Sequence, residues 1–166
     1  MANDAHLLTD IRLEDIDHRL RPVYAAAERI VRIQQKPEQL LDLDIISGRK
    51  NLAQAIVIRL LTPRGELEQL GHPEYGSRLH ELVGRENTPT TRNLVKLFIL
   101  EALQQEPRIE PKAFVVVTPA DESPPKVGKG ARNITLAPRV NVEISVKPVG
   151  ETEVVTIGPF TLELEQ

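Results

Sequence analysis

The sequence predicts an α+β fold: N-terminal helices packed on a small antiparallel sheet of about three strands, closing in a C-terminal β-hairpin. Three observations predict it. Up to Pro107 the clearest apolar residues recur at helical spacing. Beyond Pro107 the period falls to two, as in half-buried strands with one wet face. Several of the thirteen prolines stand at the ends of these segments, where they punctuate the chain. Helices first and strands afterwards is the order of an α+β domain.

The elements follow in order. Pro22 followed by Val23–Val31 predicts a helix with the proline near its first turn, stopped by Pro37. Leu41-Asp42-Leu43-Asp44-Ile45 alternates and predicts a short strand closed by Gly48. Asn51–Leu61 predicts a helix that is apolar on more than one face, so it is central to the core or covered by a partner. Thr62-Pro63-Arg64-Gly65 predicts a turn. In the loop from Gly71 to Ser77, two glycines and a proline shape the backbone, and Ser77 is placed to cap a short helix through Leu82.

Thr88 is a good N-cap and Pro89 fits the first helical position, where no N–H is needed. Leu94, Leu97, Phe98 and Ala102 are the expected apolar face of that helix, and Pro107 stops it. Ala113–Val117 predicts the first strand. Val140, Val142, Ile144 and Val146 alternate with polar residues and predict the second. Phe160, Leu162 and Leu164 predict the last, with Pro148–Thr152 as the turn between them. Pro119–Asn133 is polar and rich in Pro, Gly and Lys, which predicts a long loop. One edge of such a sheet is the chain's last strand.

Composition narrows the function. The chain has 166 residues, enough for one domain that buries roughly 70% of its unfolded surface. It contains no cysteine, which excludes disulfides, thiolate metal sites and cysteine nucleophiles. No apolar run nears the roughly 18 residues of a membrane helix, and the start lacks a signal-peptide pattern, so cytoplasmic folding and no membrane partner are expected. A net charge of −3 with interspersed signs, and only two Tyr, three Phe and no Trp, disfavour nucleic acid as a partner.

Catalytic and cofactor signals are poor. His72, Glu74, His80 and Glu81 cluster in sequence, but at no metal-motif spacing. Glu66, Glu74, Glu81, Glu86 and Glu106 supply carboxylates without singling out a pair for glycoside hydrolysis. Gly128-Lys129-Gly130 lacks the rest of a phosphate loop. A non-enzyme without cofactors is the expectation. The more distinctive feature is Glu106-Pro107-Arg108 at the junction of helix and strand. Pro107 fixes this corner, and Glu106 and Arg108 are expected to point away from it as two fixed charges for a partner. The alternative is a local ion pair that buttresses the corner.

Four segments in order carry a family resemblance: Asn51–Ile56, Leu60–Glu66, His72–Leu79 and Glu106–Ile109 before the strands. Together they resemble the baseplate wedge and sheath-initiator family of T-even phages, type VI secretion and phage-like extracellular injection systems. The resemblance covers 41–166 and leaves 1–40 as an N-terminal extension, a candidate for system-specific contacts. It implies a structural baseplate part of a phage tail-like particle. Glu106, Pro107 and Arg108 would dock on the wedge core. The hairpin residues Val140, Val142, Ile144, Val146, Phe160, Leu162 and Leu164 would offer strands to the sheath subunit. Inner-tube or hub proteins would lie nearby. Members of this family have also been labelled lysozyme-like, which makes a peptidoglycan hydrolase the alternative. Physics alone supports the strand reading, because an edge strand is a template for another chain. Glu163 and Glu165 would keep that edge soluble. The hairpin is expected to be anchored to the corner through the first strand.

Overall fold

A computed structural model describes residues 7–13, 28–32, 39–120 and 139–164 of the chain. The fold is α+β. Strands β1 (Thr9–Ile11) to β4 (Ile45–Ser47) precede helix α1 (Gly48–Leu61). Helix α2 (Pro89–Leu103) and strands β5 (Phe114–Pro119), β6 (Arg139–Val146) and β7 (Val155–Glu163) complete it. The three C-terminal strands form an antiparallel sheet in the order β5-β6-β7.

The N-terminal part departs from the sequence expectation. Where a helix was expected over Val23–Val31, strand β2 (Glu28–Arg32) pairs antiparallel with β3 (Gln39–Leu43). Residues 23–27 lie outside the described residues. The single strand expected over Leu41–Ile45 is two strands with different partners: β3 pairs with β2, and β4 pairs with β1. Asp44 stands at the changeover, where its carboxylate accepts the Ile45 N–H at 3.0 Å and an Arg12 N–H at 3.2 Å. Gly48 opens α1 rather than closing a strand, with φ of 62°.

Helix α1 is apolar on several faces because it is central to the core. Leu52, Ile56, Val57 and Leu60 are buried in it. Its two buried amides hold the N-terminal segment. Asn51 donates to the Leu7 carbonyl at 3.0 Å. Gln54 donates to the Ile11 carbonyl at 2.8 Å and accepts the Leu13 N–H at 3.0 Å. The Leu7 side chain is fully buried and anchors this segment to the core, while residues 8–12 stay exposed.

Helix α2 starts as expected. The Thr88 hydroxyl accepts the Thr91 N–H at 3.1 Å and Pro89 opens the helix. The buried face is Thr91, Val95, Phe98, Ile99, Ala102 and Leu103. It is rotated from the expected stripe, and Leu97 is 48% exposed. Both stripes are apolar in sequence, so periodicity does not choose between them. Thr88→Ala is expected to cost about 1 kcal/mol, lowering the melting temperature by about 3 °C in a calorimetric scan.

Strand β6 is the sheet's centre, and Val140, Val142, Ile144 and Val146 are all buried. Strand β7 is longer than the expected run because a bulge interrupts its alternation. Val142 faces Phe160 while Ile144 faces Ile157, leaving Gly158 and Pro159 opposite Glu143 alone, one residue in surplus. The bulge shifts the parity so that Ile157 and Phe160 both turn into the core. Gly158 has φ of 100°, and a Cβ there would lie 2.7 Å from the Val142 carbonyl oxygen. Leu164 is buried and Leu162 half-buried. Beyond Ala120 the long loop expected over Pro119–Asn133 lies outside the described residues, as does Glu165.

Candidate functional site

The corner after α2 is a densely bonded polar site. Its charges do not project outward as expected. Glu106 is 5% exposed and turns inward. Arg108 reaches back to it, with Nε 2.6 Å from Oε1 and Nη2 3.2 Å from Oε2. Arg59, from α1, donates from Nη2 to Oε2 at 3.3 Å. A carboxylate removed from water needs such partners, and two arginines supply them. Burial by itself pushes the Glu106 carboxyl up. The hydrogen bond and charge of Arg108, with the charge of Arg59, outweigh it and hold the group below its ordinary value.

The Arg59 guanidinium carbon also lies over the Tyr75 ring, 4.3 Å from its centroid. Burial pushes the Tyr75 phenol up, opposed by the charge of Arg59. Tyr75 is held there by its loop. Ser77 donates from its backbone to the Thr62 carbonyl at 2.8 Å and from its hydroxyl to the Leu60 carbonyl at 2.6 Å. Arg64 donates back to the Ser77 carbonyl at 2.9 Å, and the Arg64 side chain pairs with Glu74. Gly76 makes this approach possible. Its φ is 110°, and a Cβ would stand 2.5 Å from the Thr62 oxygen and 2.8 Å from that of Pro63. Ser77 therefore ties the loop to the end of α1, and it also accepts the Leu79 N–H at 3.3 Å where a single helical turn, Leu79–Leu82, begins.

The corner is joined to the hairpin through β5, which pairs with β6 along its length, and also directly at the end of β6. Ile109 bridges Pro148 antiparallel. Val149 donates to the Arg108 carbonyl at 3.0 Å, and Glu110 to the Lys147 carbonyl at 2.8 Å. Lys147 closes on the Glu110 carboxylate at 2.7 Å. The hairpin turn is also tied to the start of α1, where Arg49 contacts Glu151 and Glu153, each at 2.5 Å. Reading the sequence missed Arg59 and Tyr75. One signal was available for Arg59: a lone charge between Ile58 and Leu60 in an apolar helix needs a partner inside the fold.

Other candidates disperse. Among the described residues, no group of three or more His, Cys, Asp or Glu side chains is placed to hold a metal ion. Glu81 lies beside Arg78 at 2.7 Å, and that hydrogen bond holds its carboxyl below the ordinary value. No helix of the described residues is long and apolar enough to cross a membrane.

The structure thus gathers three of the sequence segments, Leu60–Glu66, His72–Leu79 and the Glu106-Pro107-Arg108 corner, around Arg59 and Tyr75. A family model described as baseplate wedge protein gp25 matches residues 46–147, more than half of the chain. The chain belongs to the gp25 baseplate wedge family. The matched span runs from β4 to the end of β6 and contains the whole corner cluster. Comparison with curated proteins found no match. As a family of baseplate wedge proteins, it makes this chain a structural component of a phage-type tail baseplate, in contact with other baseplate or tail proteins.

Proposed function

We propose that this gp25-family protein docks on the wedge core through the Glu106-Pro107-Arg108 corner and starts the tail sheath by strand addition on its C-terminal hairpin. The observation that carries the proposal is the free edge of β7, which among the described residues pairs with β6 alone. An unpaired edge lends its backbone groups to an incoming strand. The ion-pair cluster does not reach for the wedge with free charges. It holds Pro107, which is exposed, and the partly exposed Arg108 in a fixed shape. Inner-tube or hub proteins would contact the remaining faces.

The phase of the sheet says which groups an incoming strand would meet. Ala120 N–H bonds to the Arg139 carbonyl, so odd-numbered residues of β6 bond towards β5 and even-numbered ones towards β7. Thr161 faces Asn141, and its backbone N–H and C=O therefore point to the free edge. Thr161→Pro removes an outward donor and leaves the β6 ladder intact. Particles carrying it are expected to assemble baseplates but no sheath, as seen by electron microscopy. Normal sheaths on such particles would refute strand addition at β7. Deleting 151–166 is a poor substitute, because Ile157, Phe160 and Leu164 are buried in the core.

The hydrolase reading gains nothing from the carboxylates. A glycosidase general acid needs a raised pKa in a cleft. Glu81 and Glu106 are both shifted down by arginines.

A further inference from the structure

The sheet has a second edge, and it is built differently. Strand β5 pairs only with β6 among the described residues. Along it runs an open groove of about 320 Å³, lined by Phe114–Val117 on one wall and by Pro89, Arg92, Asn93 and Lys96 on the other. The outward face of β5 is apolar. Phe114 is 65% exposed and Val116 40%. By the same phase, Val115 and Val117 turn their backbone N–H and C=O groups away from β6, to this edge. The four α2 residues are spaced i, i+3, i+4, i+7 and so form one face of that helix. Two of them are cations. Lys96 sits 5.9 Å from the Phe114 ring centroid, and the Arg92 side chain bonds among the described residues to Asn87, at 2.8 Å to its side chain. Neither has a carboxylate partner among the described residues.

We infer that the groove between α2 and β5 binds an extended partner segment alternating apolar and acidic residues, added as a strand to β5. Each part of the groove selects one property of that occupant. The open backbone groups of Val115 and Val117 select a strand. Phe114 and Val116 take its apolar side chains, and Arg92 and Lys96 take the carboxylates that alternate with them. This site is separate from the β7 edge and does not rest on the sheath proposal.

The test titrates the full-length, 15N-labelled protein with a short peptide of alternating valine and glutamate. Shifts are expected at Arg92–Lys96 and Phe114–Val117. A valine–lysine peptide and a serine–glutamate peptide are expected to bind at least about tenfold more weakly. Arg92→Glu with Lys96→Glu should invert the preference towards the valine–lysine peptide. Val117→Pro should weaken binding by about tenfold or more without touching the β6 ladder, since a proline on an edge strand loses only an outward donor. Should that variant misfold, the charge inversion decides alone. Equal binding of the two charged peptides, shifts confined to β7, or no shifts at all would overturn the inference. So would peptide-free, concentration-dependent shifts at the same residues, which would give the groove to a second copy of the chain.

Discussion

Glu106→Gln is expected to destabilise the protein by about 3 kcal/mol, because breaking a buried ion pair leaves its partners uncompensated. The change is nearly isosteric, so no cavity accompanies it. It strands two cations at once: Arg59, whose side chain is 10% exposed, and Arg108, 18% exposed. The amide keeps one acceptor oxygen where the carboxylate had two, and it cannot neutralise either guanidinium. Urea unfolding of the wild type and the variant would measure the loss. A loss under about 1 kcal/mol would place the cluster with surface ion pairs and remove it as the brace of the corner.

The same carboxylate sets an acid limit. Its folded pKa lies below its unfolded value of about 4.3, since Arg108 and Arg59 together outweigh the burial that pushes it up. The unfolded state therefore takes up the proton first as the pH falls. The stabilisation is fully present above the unfolded value and is lost as the pH drops through the folded one. In the glutamine variant this part of the acid-side slope should vanish.

Legibility in the sequence tracked how local each determinant is. Helix α2 was readable because Thr88-Pro89 carries its own start signal, and β6 because four buried residues alternate without a break. The bulge of β7 was not. Gly158-Pro159 interrupts the alternation, and only the partner strand shows that Ile157 and Phe160 share a face. Val23–Val31 holds helix-forming Ala25, Ala26 and Ala27 beside β-branched Ile30 and Val31, and pairing with β3 decided for a strand over Glu28–Arg32. The corner was visible as a motif, yet the direction of its charges was not. What turns Glu106 inward is Arg59, 47 residues earlier in the chain. Local reading saw two charges flanking a proline, and long-range packing made them an internal clamp.

Gly76→Ala should be the most damaging change of a single methyl group, and it tests that packing from the other side. A non-glycine residue at φ of 110° is strained by about 1–3 kcal/mol. Here the new Cβ also meets backbone oxygens of Thr62 and Pro63 that end a buried helix and have little room to retreat. The combined loss is expected to reach about 3 kcal/mol or more. Gly65→Ala is the control: its φ is 89°, but nothing lies within 4 Å of the added Cβ, so only the conformational cost of about 1–2 kcal/mol remains. If the loop is displaced, Tyr75 loses its burial and its seat under Arg59. Its phenol should then titrate lower, near the ordinary value of about 10, in an absorbance titration with Tyr75→Phe as the blank. The corner would feel it as well, because Arg59 is shared between Tyr75 and Glu106. Equal losses in the two glycine variants, with Tyr75 titration unchanged, would mean that the loop yields without disturbing the cluster. The fixed shape proposed for wedge docking would then have to come from the β6 side alone, through Ile109, Pro148 and Val149.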